Sequence, residues 1–158
     1  MIQKEVQVDL EALGNSMQRY EIKILEKFKN FDLSTKEKAI KSFIKLWQNE
    51  KAYHTHLKKR LKLNHIKDEF DYLKKTLNCL KDSKEVIIAK YNNSDIWNRI
   101  RYFDNKEWIV IFSEDGVLLT SHKKEITAIS FIEKHKNFGA KIIKGGISEK
   151  FREFFKSL

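Results

Sequence analysis

The sequence predicts an α+β fold, with N-terminal helices packed on a three- to four-stranded antiparallel meander sheet and short C-terminal helices. Apolar residues recur at helical spacing in the first half of the chain. The second half changes to short runs rich in β-branched and aromatic residues. No repeat, low-complexity tract or flexible linker interrupts the 158 residues, so we expect a single domain, 1–158.

The helices are predicted from their caps and apolar stripes. The capping box "STKE" places Ser34 at the N-cap of one helix. The next helix carries Tyr53, Leu57 and Leu61 at i, i+4 and i+8, and this spacing predicts its buried stripe. Asn64 is the expected cap of the helix that follows.

Four strand-like runs follow these helices: "EVIIAK" (85–90), "DIWNRIRYF" (95–103), "EWIVIF" (107–112) and "VLLTSHK" (117–123). Short connectors join them, and Gly116 suits a positive-φ position in one hairpin loop. Helical segments near 125–136 and 147–157, separated by "KGG", are expected to close the chain.

The composition indicates a polyanionic partner. The net charge is +10, with 41% hydrophobic and 34% charged residues. No apolar run approaches the roughly 20 residues of a membrane helix, and the first residues do not resemble a secretory signal. We therefore expect no membrane segment and a cytoplasmic location. The single Cys79 is expected to be buried and inert.

Three of the five histidines lie in the stretch "YHTHLKKRLKLNH" at 53–65. Residues 51–67 hold six Lys or Arg and no Asp or Glu. His54 and His56 project about 200° apart on a helix, so they cannot chelate one ion. No HExxH motif or cysteine pair is present. The sequence predicts no metal site and no cofactor.

His56 and Arg60 are i, i+4 neighbours on one side of the predicted stripe, and His54 lies beside Lys51 and Lys58 on the other. An imidazole next to a fixed cation can move a proton on a phosphodiester while the cation stabilises phosphoryl charge. The cation also lowers the pKa of the imidazole, which favours the neutral base. The alternative is a packed, partly exposed histidine with a structural role.

The predicted sheet adds basic and aromatic residues. Arg99 and Arg101, two residues apart on one strand, project from the same side. Trp97 and Trp108 add aromatic surface among basic residues, which is typical of surfaces that stack single-stranded RNA bases. The alternative is that both tryptophans belong to the core.

The order of these parts resembles the barnase/EndoU/colicin/RelE-like ribonuclease superfamily, most closely its phage-associated branch. The likeness is carried by "HLKKRLKLNHIKDEFDYL" (56–73), "KEVI" (84–87), the arginines of "RIRYF", and "WIVIFSEDGVLLTSHK" (108–123). It covers a nuclease-like core, 50–125, followed by C-terminal helical segments, 126–158. Residues 1–49 have no counterpart, and form either a partner-binding helical extension or part of a larger chain.

The resemblance implies a metal-independent endoribonuclease, often a toxin, in which the 2′-hydroxyl attacks the adjacent phosphorus and leaves a 2′,3′-cyclic phosphate. His56 would be the general base or acid, and His54 the alternative imidazole. Phosphate clamps (Arg60, Arg101) and strand hydroxyls (Thr120, Ser121) would complete the catalytic set. Further substrate contacts would come from Arg99, His65, Lys123 and Trp108.

The expected partners are RNA, with tRNA as one candidate, and an acidic antitoxin or immunity protein that covers the basic face. The location would be the cytoplasm of the producing cell or of a target bacterial cell. Two alternatives stay open on the same residues: a non-catalytic RNA- or DNA-binding module, and a basic protein-interaction domain.

Overall fold

The computed structural model describes residues 19–90, 100–124 and 128–158. In chain order these contain α1 (Arg19–Lys27), α2 (Lys36–Ile44), α3 (Glu50–Lys62), α4 (Glu69–Asp82), β1 (Glu85–Lys90), β2 (Ile100–Asp104), β3 (Trp108–Phe112), β4 (Leu118–Lys123), α5 (Ala128–Asn137), β5 (Lys141–Gly146) and α6 (Glu149–Ser157). The prediction of an α+β fold is confirmed. Residues 1–18 of the expected helical extension, 1–49, lie outside the described residues.

The strands form one antiparallel sheet in the order β4-β3-β2-β1-β5. The meander of β1 to β4 matches the sequence prediction. The fifth strand was not predicted: "KIIKGG" (141–146) pairs along its whole length with β1, where a helix-to-helix linker was expected. The partner of this segment lies far away in sequence, so local residue patterns do not reveal the pairing.

Helices cover both faces of the sheet. On one face, α4 lies against β2 and β3, and α2 and α6 pack on α4. The large core there includes stacked rings of Phe103 and Phe151, with centroids 5.7 Å apart. On the other face, α5 places Phe131 against Ile87 and Ile109 in a smaller cluster. Within the described residues, no helix has the length and apolar character needed to cross a membrane.

Two helix caps differ from prediction by a few residues. Thr35, not Ser34, is the N-cap of α2, and its hydroxyl accepts a hydrogen bond from the Lys38 amide at 3.1 Å. Asp68, not Asn64, caps α4, since its carboxylate accepts from the Asp71 amide at 2.8 Å. Both types of side chain are good caps, so sequence alone did not distinguish the neighbouring candidates.

The expectation for Gly116 is confirmed. Its φ is +82°, and a Cβ added there would lie 2.6 Å from the main-chain oxygen of Lys23. Only glycine combines this backbone conformation with so close an approach. The hairpin loop between β3 and β4 is thereby held against α1.

Candidate functional site

A cavity of about 340 Å³ opens between α3 and β4. Four of its lining side chains come from α3 and two from the strand: Thr55, His56, Lys59, Arg60, Thr120 and His122. Its described residues supply two imidazoles, two cations and two hydroxyls, and none of them is a carboxylate. This is the composition of an anion-binding site.

Trp47 fixes α3 relative to β4. Its backbone forms a parallel bridge with Leu118 at the start of the strand, next to a 2.8 Å hydrogen bond from the Leu118 amide to the Leu46 oxygen. The Trp47 ring lies against the imidazole of His56, with centroids 5.0 Å apart. Trp47 follows α2, which ends at Ile44. It acts as the connection that holds His56 beside the strand.

The buried face of α3 differs from the predicted stripe by one position. Tyr53 and Leu57 are buried as expected, but Leu61 is 38% exposed and Arg60 is only 4% exposed. The helix therefore turns a guanidinium, instead of a leucine, toward the strand. Arginine carries a long apolar stem, so its burial is invisible in a pattern of apolar residues.

Arg60 is buried, and no described carboxylate lies close enough to pair with it. Among the residues that the structure describes, its side chain makes no ion pair, and its Nε has no hydrogen-bond partner. A buried cation in this condition is unfavourable unless a negative charge reaches it. The cavity is the route by which an anionic ligand would do so.

His56 is poised in its neutral form. Burial lowers the pKa of His56 below its ordinary value, and the positive charge of Arg60, with smaller effects of His122 and Lys59, lowers it further. The sequence predicted this direction from the neighbouring cation, but burial is the larger cause. An imidazole that stays neutral near pH 7 can accept a proton.

His122 supplies a second imidazole that the sequence analysis did not select. Its Nδ1 lies 2.8 Å from the main-chain oxygen of Lys123. A carbonyl oxygen only accepts, so Nδ1 carries a proton and the chemistry of the ring falls to Nε2. The signal was present in the sequence, because His122 is two residues from Thr120 and shares its side of the strand.

Ser121 and Trp108 are corrections to the predicted site. Ser121 is fully buried on the core side of β4, where its hydroxyl accepts from Trp108 Nε1 at 2.7 Å and pairs with the Thr76 hydroxyl at 2.6 Å. Trp108 is 4% exposed. Alternation along the strand sends Ser121 inward and Thr120 outward, so Ser121 has a structural role. Neither Ser121 nor Trp108 lines this cavity, although Trp108 lines a second opening at the end of β4.

The other predicted site residues are more dispersed. His54 is exposed on α3 and does not line the cavity. His65 and Lys123 line a second opening at the end of β4. The backbone of Arg101 pairs with Ile88 and Phe112, and its side chain is not described. Arg99, like Trp97, lies outside the described residues.

The described residues contain no group of three or more His, Cys, Asp or Glu arranged to hold a metal ion. Cys79 is buried, with its thiol against the main-chain oxygen of Trp108, and burial raises its pKa to about 12. The thiol is therefore not a nucleophile at neutral pH. The chemistry available at the cavity is proton transfer by two imidazoles beside cations.

Comparison with known proteins gives a family whose description carries no function. A curated relative from Aquifex aeolicus (strain VF5), "Uncharacterized protein aq_aa01", is 41% identical over 66 residues, which are 42% of this chain and 49% of that protein. The match thus spans about half the length of the relative. No solved structure matches the chain. The family model described as "Uncharacterised protein aq_aa01" matches residues 37–158, which include every residue of the cavity, and the chain belongs to this family.

Proposed function

We propose that the chain is a metal-independent endoribonuclease that cleaves by attack of a 2′-hydroxyl on the adjacent phosphorus. The observation that carries the proposal is the buried Arg60 guanidinium, which has no anion among the described residues and shares a cavity with two histidines. A phosphodiester supplies the missing negative charge. It also supplies the hydroxyl and the leaving oxygen on which two imidazoles can act.

His56 is the general base in this scheme. The neutral ring takes the proton of the 2′-hydroxyl, while the 2′-oxygen forms a bond to phosphorus and the bond from phosphorus to the 5′-oxygen breaks. His122, in its protonated form, gives a proton to the departing 5′-oxygen. The products are a 2′,3′-cyclic phosphate and a 5′-hydroxyl, so atoms and charge balance without a cofactor.

Arg60 and Lys59 stabilise the charge that develops on the non-bridging phosphoryl oxygens. The Thr120 hydroxyl, which lines the same cavity, is placed to donate to one of them. Carboxylates are the ligands that Mg²⁺ prefers, and the described residues of the lining include none. In this proposal the cations of the chain take the role that a metal has in other nucleases. Arg101 stays a predicted second clamp.

The cationic surroundings support RNA as the substrate class, with tRNA as the first candidate. An acidic antitoxin or immunity protein would fit the same surface by charge. Such a substrate places the activity in the cytoplasm of the producing cell or of a target bacterial cell.

The test is cleavage of total RNA and of isolated tRNA in EDTA. His56→Ala and His122→Ala are each expected to lower the rate by about 10² to 10⁴, the usual contribution of a general acid or base. His54→Ala is the matched control, because it removes an exposed histidine of the same helix outside the cavity. Fragments should carry 2′,3′-cyclic ends.

Full activity in both His56→Ala and His122→Ala would overturn this assignment. Intact RNA with binding that weakens steeply with salt would indicate instead a non-catalytic RNA- or DNA-binding module using the same cations. Intact RNA without binding would leave a basic domain whose partner is a protein.

A further inference from the structure

A second opening of about 460 Å³ lies at the end of β4. Most of its charge is positive: Lys75, Lys106, Lys123 and Lys124 line it, together with His65. Among the described residues of this lining, Glu107 alone is acidic. The opening has the charge of an anion site but lacks the paired imidazoles of the cavity between α3 and β4.

Two of these lysines are engaged within the fold. Lys124 Nζ lies 2.6 Å from a carboxylate oxygen of Asp104, and Lys75 Nζ lies 3.6 Å from one of Asp71. Their charges are partly neutralised there. They therefore contribute less to binding an external anion.

Lys106 and Lys123 are different. Both are exposed, and neither makes an ion pair with the residues that the structure describes. The Lys106 backbone has a φ of +80°, and its amide donates to the Asp104 carboxylate at 2.6 Å. This tight turn fixes the point from which the Lys106 side chain extends.

The two openings lie on opposite faces of the sheet and meet at the edge strand β4. His122, in the first, and Lys123, in the second, are consecutive residues of β4, so their Cα atoms lie about 3.8 Å apart while their side chains leave opposite faces. On the helix side, the Arg60 oxygen accepts from the His65 amide at 3.0 Å. No further strand of the described chain lies outside β4. A single polynucleotide strand can therefore cross this edge and contact both openings.

We infer that the second opening, through Lys106 and Lys123, binds a phosphate of the same RNA strand that flanks the cleaved one. This inference rests on the proposed function and makes its substrate more specific. The preferred substrate is a single-stranded segment several nucleotides long, because a dinucleotide has only the phosphate held in the cavity.

The experiment compares two double variants with equal loss of charge. Lys106→Ala/Lys123→Ala removes the exposed cations of the second opening. Lys141→Ala/Lys144→Ala removes two exposed lysines of β5, at the opposite edge of the sheet. Binding is measured by fluorescence anisotropy with a labelled all-deoxy oligonucleotide of ten residues, which lacks the attacking hydroxyl, at several salt concentrations.

The Lys106/Lys123 variant is expected to reduce the slope of log K against log salt by about 0.7, because the one phosphate that the two lysines hold is no longer neutralised. At 0.1 M salt this corresponds to a loss of affinity of about 5-fold, if affinity at 1 M is unchanged. The Lys141/Lys144 variant should keep the slope of the unmodified protein. In cleavage assays, the Lys106/Lys123 variant should lower kcat/KM for a ten-residue RNA much more than that for a dinucleotide.

An equal change of slope in both variants would overturn the inference, since net charge alone would explain it. An unchanged slope in the Lys106/Lys123 variant would also overturn the inference. If the same variant still cleaves a dinucleotide, the proposed function stands. If neither RNA is cleaved by the unmodified protein, the proposed function fails, and the difference in slope still tests the second opening.

Discussion

Replacing Arg60 by methionine should stabilise the protein and abolish its activity. Arg60 is 4% exposed, and its Nε has no hydrogen-bond partner among the described residues. An unsatisfied buried polar group costs about 1–3 kcal/mol, and more when charged. Methionine fills a similar volume without that cost, and replacement of buried ionic groups by apolar ones is often stabilising by about 1–4 kcal/mol. We expect Arg60→Met to raise the free energy of unfolding by about 1–3 kcal/mol.

Urea unfolding in a phosphate-free buffer measures this change, and thermal unfolding should follow by about 2–4 °C for each kcal/mol. Lys59→Met is the matched control: it removes an exposed cation of the same cavity, so stability should stay within about 0.5 kcal/mol. Inorganic phosphate at 100 times its Kd should stabilise the unmodified protein by about 2.7 kcal/mol, and Arg60→Met much less.

A decrease of about 1 kcal/mol or more in the stability of Arg60→Met would refute the reasoning. It would mean that the guanidinium has a stabilising partner in the folded chain. The cavity would then hold a structural arginine and not an anion site. Unchanged RNA cleavage in Arg60→Met would also contradict the assignment of the cavity as an anion site.

Three further predictions concern pH, the core and the loops. Folding lowers the pKa of His56, so the unfolded chain binds more protons than the folded chain as pH falls through the ordinary pKa of 6.5. The free energy of unfolding should therefore decline below about pH 7. His56→Gln should flatten this decline in unfolding experiments at pH 5 to 8. Ser121→Ala removes the hydrogen-bond acceptor of Trp108 Nε1 and should lower the free energy of unfolding in urea by about 1–3 kcal/mol. The cleavage rate of the folded fraction should stay the same. A reduced rate with unchanged stability would indicate that Ser121 belongs to the site. Gly116→Ala should lower the free energy of unfolding by more than the roughly 1–2 kcal/mol of left-handed backbone strain, because the added Cβ would contact the backbone of Lys23. Gly139→Ala is the control: Gly139 has a similar φ and open space around it, so this variant measures the strain alone. Equal destabilisation by both variants would contradict the close approach at Gly116.

The sequence predicted the fold class and the pairing of His56 with Arg60, because both depend on local periodicity. Apolar spacing defines the helices, and i, i+4 geometry brings these two side chains into one cavity. The burial of Arg60 could not be predicted in the same way. The helix stripe was assigned by apolar residues, and only packing against β4 decides whether position 60 or 61 turns inward.

The prediction that Ser121 on β4 faces the site was wrong for a similar reason. Ser121 was chosen with Thr120 because both are hydroxyls, although alternation along a strand separates neighbours. Which of the two faces the core depends on the register with β3, where Val110 pairs with Ser121 and Ile111 with Thr120, and on a bulge beside Ile111. Long-range pairing of this kind is not encoded in a short segment.

The position of β5 affects whether the incomplete chain aggregates during synthesis. β1 lies between β2 and β5, yet its residue Lys90 pairs with Lys141, 51 positions further on. Until residues 141–146 have been made and docked, β1 is an edge strand with the sequence "EVIIAK". Such an edge is a template for another chain, and nascent copies on one messenger are close together. The C-terminal strand covers this edge and replaces it by one that carries Lys141 and Lys144, and lysines on an edge strand oppose pairing with another chain. A chain that ends before β5 should therefore be recovered as insoluble protein.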